Sequence, residues 1–472
     1  MLERIFKLSE NKTTVRIEIL AGVTTFLTMA YIIVVQPAVL SGAMFGPKMK
    51  TGMDFGAITA ATCISAALAS AIMGLYARYP IAQAPGMGQN FFFVFAAIPA
   101  AAEAAGSNTF FGNGWQVALG AVFISGILFL ILSLCGAREA VMNAISPSMK
   151  HAVAGGIGAF IAFIGLQHAG VILKDSGTAV KLNPHFDSPD LVVFFFGLIL
   201  MAVLHARKVR GSILLGILGT TALAMFLKYI APPFAPGWYQ SDLVKNFSIA
   251  HQIVSTPPSL APTFLKMDLR GALSATMWPF IIVFLFMVFF DTVGTLVGVS
   301  EQAGLMRDGK LPRAKQAFVS DALGTIVGAA LGTSTVTSFI ESAAGVEQGG
   351  RTGLTSVTVA ILFLLALFFS PVIAMIGSYG AITAPALVLV GAMMMRNAAK
   401  IDWDDFTEAF PAFLVLLGIP LTYSIADGLA LGFIAHPILK ALSGRARDVR
   451  WFMYLIGALL VVYFIFVRAK MG

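Results

Sequence analysis

Gly332-Thr333-Ser334-Thr335-Val336-Thr337-Ser338-Phe339-Ile340-Glu341 lies where a membrane span belongs, yet it does not read as one continuous helix. Thr333, Thr335, Val336 and Thr337 are β-branched and favour extended backbone. From Ser338 onward the pattern turns helical, and Ser338-Phe339-Ile340-Glu341 has the spacing of a capping box. Irregular backbone at membrane depth is tolerated only beside a cavity or when buried in protein. Glu341 also ends nineteen uncharged residues, Ala322 to Ile340. A charge at mid-bilayer costs roughly 2.5–3.5 kcal/mol on insertion scales, so such a carboxylate usually faces a polar cavity and meets a proton, an ion or a substrate. A half-helix starting here would also point free N–H groups and a positive dipole end at the site.

The rest of the chain fits this membrane reading. Of its 472 residues, 58% are hydrophobic and 11% are charged, against about 25% charged in a soluble domain. Candidate spans are 17–42, 55–77, 80–104, 115–136, 149–170, 190–207, 211–231, 274–300, 316–331, 333–350, 354–375, 379–396, 408–423 and 425–441, with 450–468 as an extra C-terminal helix. Basic clusters follow even-numbered spans: Arg78; Arg138 and Lys150; Arg207, Lys208 and Arg210; Arg307 and Lys310; Arg396 and Lys400; Arg445 and Arg447. All fall on one side if the N-terminus is cytoplasmic, as the positive-inside rule requires. The net charge of +8 is therefore membrane topology, not a nucleic-acid signal. No signal peptide pattern precedes the first span. Cys63 and Cys135 read as small hydrophobes, and the six histidines show no metal spacing.

A second break and a second acid accompany the first pair. Span three opens Tyr79-Pro80-Ile81-Ala82-Gln83-Ala84-Pro85-Gly86-Met87-Gly88, which cannot begin as a helix. Seven spans per half inverts one half against the other, and matching interrupted spans in two such halves point to a transporter site. Asp291 follows twenty uncharged residues and precedes nine more. It adjoins a phenylalanine-rich run containing Phe289, which reads as packing or as a stacking surface for a flat ligand. Phe339 is a second aromatic candidate. Gln89 and Asn90 carry amides that both donate and accept, which suits a nucleobase edge. Thr337 in the interrupted span and Thr28 in span one complete the candidate set, although span threonines often back-bond to carbonyls.

Several segments now resemble a known family. They are Phe290-Asp291-Thr292-Val293-Gly294-Thr295-Leu296, Glu301-Gln302-Ala303-Gly304, the run from Gly332 through Glu341 to Gly345, Ala84-Pro85-Gly86-Met87-Gly88 with Asn90, and Gly349-Gly350-Arg351-Thr352-Gly353. Together they resemble the AzgA-like purine permeases of the nucleobase/cation symporter superfamily, which includes the bacterial uracil permease. The resemblance implies an all-α membrane protein of fourteen segments arranged as a seven-plus-seven inverted repeat, with short strands breaking spans three and ten. It implies a core domain from residues 1–136 and 272–375, a gate domain from 137–231 and 376–472, and an extracytoplasmic loop at 232–271. It also implies proton-driven uptake of purine bases (hypoxanthine and guanine, or adenine) by an elevator-like movement. The protein would be a homodimer in the bacterial cytoplasmic membrane, with no cofactor, metal or enzymatic step. By motif position Glu341 and Asp291 are substrate-site acids, either of which would carry the coupling proton, and Asn90 is the span-three contributor. The chain differs at Gly88-Gln89-Asn90-Phe91-Phe92, where the family more often has Gly-Leu-Asn-Ala-Tyr, a change that bears on preference within the purines. Transport of xanthine, uracil or an anion by the same architecture, a membrane enzyme and a passive channel are the alternative readings.

Overall fold

The computed structural model describes residues 2–45, 50–105, 114–135, 146–175, 177–230, 238, 241–302, 304–305, 311–423 and 425–466. Arg138, Arg307, Lys310 and Ala303 fall outside that set. A short N-terminal helix, α1 (Leu2–Phe6), precedes the first span, which is α2 (Val15–Met29) followed by α3 (Ile32–Leu40). The bend between them has a local cause. The Thr28 hydroxyl donates back to the carbonyls of Thr24 and Thr25, at 3.2 and 2.7 Å, a bond that often bends helices. Span two is α4 (Phe55–Ile72), capped by the Asp54 carboxylate on the Ala57 N–H at 2.7 Å and ended by a wider π-turn, Met73–Ala77.

Both interrupted spans are interrupted as expected. Span three is β1 (Gln83–Pro85), α5 (Met87–Phe92), a π-turn and α6 (Ile98–Ala104). Span ten is β4 (Val336–Ser338) and α13 (Ser342–Glu347). The two strands pair antiparallel, Gln83 opposite Ser338, Ala84 opposite Thr337 and Pro85 opposite Val336. Flanking bonds Gly86 N–H to Thr335 O (3.0 Å) and Phe339 N–H to Ala82 O (2.9 Å) extend the ladder. Each strand therefore satisfies the backbone of the other, which is what lets non-helical chain persist inside a membrane protein. Gly328 makes room for this crossing: a Cβ there would lie 2.9 Å from the Ser334 carbonyl oxygen and 2.8 Å from the Val336 side chain.

The remaining spans are single helices: α7 (Gly114–Cys135), α8 (Pro147–His168), α9 (Pro189–Ala206), α10 (Ser212–Ile230), α11 (Trp278–Gln302), α12 (Ala314–Leu331), α14 (Gly353–Ala366) continued by α15 (Ser370–Gly377), α16 (Gly380–Met395), α17 (Phe406–Thr422) and α18 (Ile425–Leu442). A hairpin of β2 (Ile172–Asp175) and β3 (Ala179–Leu182) joins α8 to α9, and α19 (Trp451–Phe466) ends the described chain. Among the described residues nine segments are long and apolar enough to cross a bilayer. The others in the fourteen are the two interrupted spans, the acid-bearing α12, and α17 and α18.

Packing sorts the helices. α2, α4, α7, α11, α12 and α14 pack on one another around the strand pair, while α8, α9, α10, α16, α17 and α18 form a second set. The segment between α10 and α11 touches both sets. Asp190 of α9 accepts the Asp242 and Leu243 N–H groups at 3.1 and 3.0 Å, and further on Asp268 N–H donates to Gln116 O of α7 at 2.9 Å.

Candidate functional site

The strand crossing brings together residues far apart in the chain. β4 delivers Thr337, whose hydroxyl donates to Asp291 Oδ2 at 3.0 Å, and α5 delivers Gln89, whose amide donates to the same oxygen at 3.3 Å. The bend in span one delivers Tyr31, whose hydroxyl donates to Glu341 Oε1 at 2.9 Å. Thr28 adds a longer contact to the Glu341 carbonyl at 3.4 Å.

These carboxylates lie on an open face. Asp291 is exposed, Glu341 half-buried and Ile340 49% exposed, and a Cβ added at Gly294 would meet nothing within 4 Å. Tyr31 and Gln89, by contrast, are buried. Among the described residues the hydrogen-bond partners of both carboxylate side chains are hydroxyls and an amide, with no cation. Two acids held this way retain free acceptor positions toward the opening.

Glu341 does not act as a capping-box acid. Helix α13 starts at Ser342, Glu341 stands at its N-cap position in αR geometry, and its side chain makes no cap bond. The Ser338 hydroxyl, which the box would use as its cap, instead donates to Asp321 at 2.8 Å. The six-residue half-helix begins immediately after the acid, so its first N–H groups lie beside Glu341.

Behind the open face are two buried polar clusters. In the first, Asp321 of α12 is fully buried and accepts from Thr292 Oγ1 (2.5 Å), Ser338 N (3.2 Å), Ser338 Oγ (2.8 Å) and the Gln83 amide. It thereby fastens α11, β1 and β4 one residue away from Asp291 and Thr337. In the second, the Asn90 amide donates to Gln36 Oε1 and accepts from the Ser334 hydroxyl, while the Gln36 amide reaches Thr333 Oγ1 (2.8 Å) and Ser334 Oγ (3.3 Å). Asn90 is fully buried and both ends of its amide are engaged here.

The structure thus gathers Glu341, Asp291, Thr337, Gln89 and Thr28. It sets Asn90 behind them, between span one and the strand. Phe289 is buried on another side of α11, packing edge-on against Phe129 at 6.0 Å and tilted against Phe318 at 5.8 Å. Phe339 is buried in the main core, with its N–H in the strand ladder. Tyr31, Gln36 and Asp321 join the site from geometry. Asp321 had a visible signal, an acid inside the Ala- and Gly-rich run 314–331 just ahead of the uncharged stretch. Gln36 had almost none, being one amide in an apolar helix. Among the described residues no group of three His, Cys, Asp or Glu side chains could hold a metal.

A family model described as "Permease family" (Xan_ur_permease) matches residues 16–431. The chain belongs to this permease family. It is a multi-pass membrane transporter, not an enzyme. The putative permease MJ0326 of Methanocaldococcus jannaschii is 48% identical over 466 residues, covering 98% of each chain. The guanine/hypoxanthine permease PbuG of Bacillus subtilis is 42% identical over 472 residues, covering 99% of this chain and 100% of its own. The adenine permease AdeP of Escherichia coli is 38% identical over 470 residues, covering 99% and 97%. Among solved structures, the transmembrane domain of the cyanobacterial bicarbonate transporter BicA superposes with a TM-score of 0.61 at 14% identity, covering 87% of this chain and 97% of that one. That likeness carries the seven-plus-seven helical architecture of this permease and nothing about its cargo.

Proposed function

We propose that this permease takes up purine nucleobases across the bacterial cytoplasmic membrane in symport with protons. The observation that carries the reading is the convergence of Asp291 and Glu341, from two different spans, on one open face at a crossing of broken helices. Guanine/hypoxanthine and adenine permeases are relatives over nearly the full length, which supports a purine as the cargo. A purine presents ring N–H donors along its edges, and carboxylates with free lone pairs are their natural acceptors. Glu341 bonds the base edge, and the Thr337 and Gln89 groups orient Asp291. Asn90 supports the strand from behind. One of the two acids carries the coupling proton.

The helices around the strand pair form the moving core (residues 1–136 and 272–375), and the second set forms the gate (137–231 and 376–472). Transport follows an elevator-like movement of one against the other, in a homodimer with a cytoplasmic N-terminus. An anion cargo is disfavoured because the partners of both carboxylates are neutral donors, with no cation among the described residues to compensate them.

The test is uptake of labelled hypoxanthine by purine-permease-deficient bacteria expressing the chain, with unlabelled guanine, adenine, xanthine and uracil as competitors. Concentrative uptake that collapses with a protonophore and is blocked by purines is the expected result. Uptake insensitive to protonophore refutes symport, and no uptake of any base by well-inserted protein refutes the cargo. Glu341→Gln keeps the shape but loses the charge, and is expected to reduce uptake at least about a hundredfold, the scale of a lost charged contact left unpaired.

A further inference from the structure

A cavity of about 300 Å³ opens at the end of span two. Lys7, Glu10, Arg78, Tyr79, Arg313 and Thr352 line it. Lys7 and Glu10 pair with each other at 2.9 Å. Arg313 lies over the Tyr79 ring at 5.1 Å, donates to the Arg78 carbonyl at 3.3 Å, and is fixed by its own N–H on the Tyr79 hydroxyl at 3.1 Å. Among the described residues no carboxylate pairs with Arg78 or Arg313. Among the described lining residues two guanidinium groups and the Lys7 ammonium thus face one carboxylate, Glu10, a surplus of positive charge in one space that an anion relieves.

Arg78 is also placed at a conformational disadvantage. It ends the π-turn with φ +57°, the left-handed region that Gly and Asn occupy more readily than a long side chain. Backbone strain retained at a cationic residue beside a cavity points to a task for the side chain. The positive-inside rule accounts for basic residues on this face but not for two of them converging on one space. The two residues just ahead, Leu75 and Tyr76, are 52% and 51% exposed, as expected of side chains that face lipid, with a tyrosine at headgroup level.

We propose that this cavity binds a phosphate group, with Arg78 and Arg313 as a guanidinium pair and the lipid-facing position of Leu75 and Tyr76 favouring an anionic phospholipid headgroup over a soluble phosphate. The site is independent of the transported cargo. The full chain in detergent is titrated with phosphatidylglycerol, with phosphatidylcholine (whose phosphate is already neutralised by choline) and with inorganic phosphate, reading the melting temperature. Phosphatidylglycerol is expected to stabilise the wild type, and Arg78→Asn to need about tenfold more of it, the weight of one charged hydrogen bond. Asn accepts the left-handed backbone, so the unliganded variant is expected to melt no lower than wild type, which separates lost binding from lost folding. Stabilisation by inorganic phosphate, lost in Arg78→Asn, identifies a soluble ligand in the same site. A wild type that responds to neither ligand, or an Arg78→Asn variant that titrates identically with both, overturns the proposal.

Discussion

Asp321 offers the sharpest test of how the site is built, because its four partners are known and differ in what they can tolerate. Ser338 N–H can only donate, and the Gln83 amide donates unless it flips, whereas the hydroxyls of Thr292 and Ser338 can rotate. Asp321→Ala therefore strands two buried donors, at about 1–3 kcal/mol each, so about 2–6 kcal/mol in total. Asp321→Asn is milder. Its carbonyl can still accept from Ser338 N–H, and its new NH₂ opposes the Gln83 amide. That opposition is relieved if Gln83 flips, because the Ser320 hydroxyl, now donating to Gln83 Oε1 at 3.3 Å, can accept instead. The expected cost is one charged bond exchanged for a neutral one, about 1–2 kcal/mol. Melting temperature in detergent should thus fall in the order wild type, Asn, Ala. Base uptake should follow the same order through KM, since Thr292 and Ser338 adjoin Asp291 and Thr337. An Asp321→Ala protein that melts with the wild type, or melts together with the Asn variant, refutes the reasoning.

Other expectations concern single contacts. Tyr31→Phe removes the 2.9 Å bond to Glu341 and leaves the packing, so about 1 kcal/mol of site order is lost and KM should rise about fivefold with expression unchanged, measured by uptake. Gln89→Leu frees Asp291 of one donor and should change the order in which purines compete; an unchanged competition series rules out a role for Gln89 in selectivity. At the start of α17, Asp405 accepts from Thr407 Oγ1 (2.6 Å) and Thr407 N–H (3.0 Å), and pairs with Arg445 (2.7 Å) and Lys440 (3.2 Å). These contacts, the Thr407 hydroxyl foremost, hold its carboxyl well below the usual range. A depressed folded value means the contribution is complete above the unfolded value near pH 4 and is lost as pH falls through the lower folded one. Asp405→Ala should cost roughly 1 kcal/mol as a lost N-cap at neutral pH, and the melting-temperature gap to wild type should narrow only below about pH 4.

What the sequence disclosed and what it withheld follow from the range of the forces involved. Charge rarity and β-branched runs are local signals, so the two strands, their flanking half-helices and both open-face acids could be read directly. The partner of each group could not, because pairing is decided by the crossing. Ser338 looked like a helix cap and proved to be an anchor for an acid seventeen residues upstream. Asn90 has the composition of a ligand contact, yet its amide is consumed by Gln36, fifty-four residues away. Phe289 illustrates the angular limit: two residues before Asp291 on the same helix, it points some 200° away by helical geometry and packs with Phe129 instead.

The same geometry bears on which cargo the proposed site takes. The strand crossing supplies backbone N–H groups and helix N-termini, which suit anions by themselves. Here two side chains, Asp291 and Glu341, put negative charge on that face and change what it can accept. Each is held by neutral donors that leave part of its lone-pair capacity unused. An anion would meet two like charges, whereas a neutral base bearing N–H groups, or a proton, meets acceptors already aimed. On the proposed function, selectivity between cargo classes rests on these two side chains. Neutralising both, as Asp291→Asn with Glu341→Gln, should abolish base uptake and leave the melting temperature largely intact, because the structural acid Asp321 stays in place with its own donors.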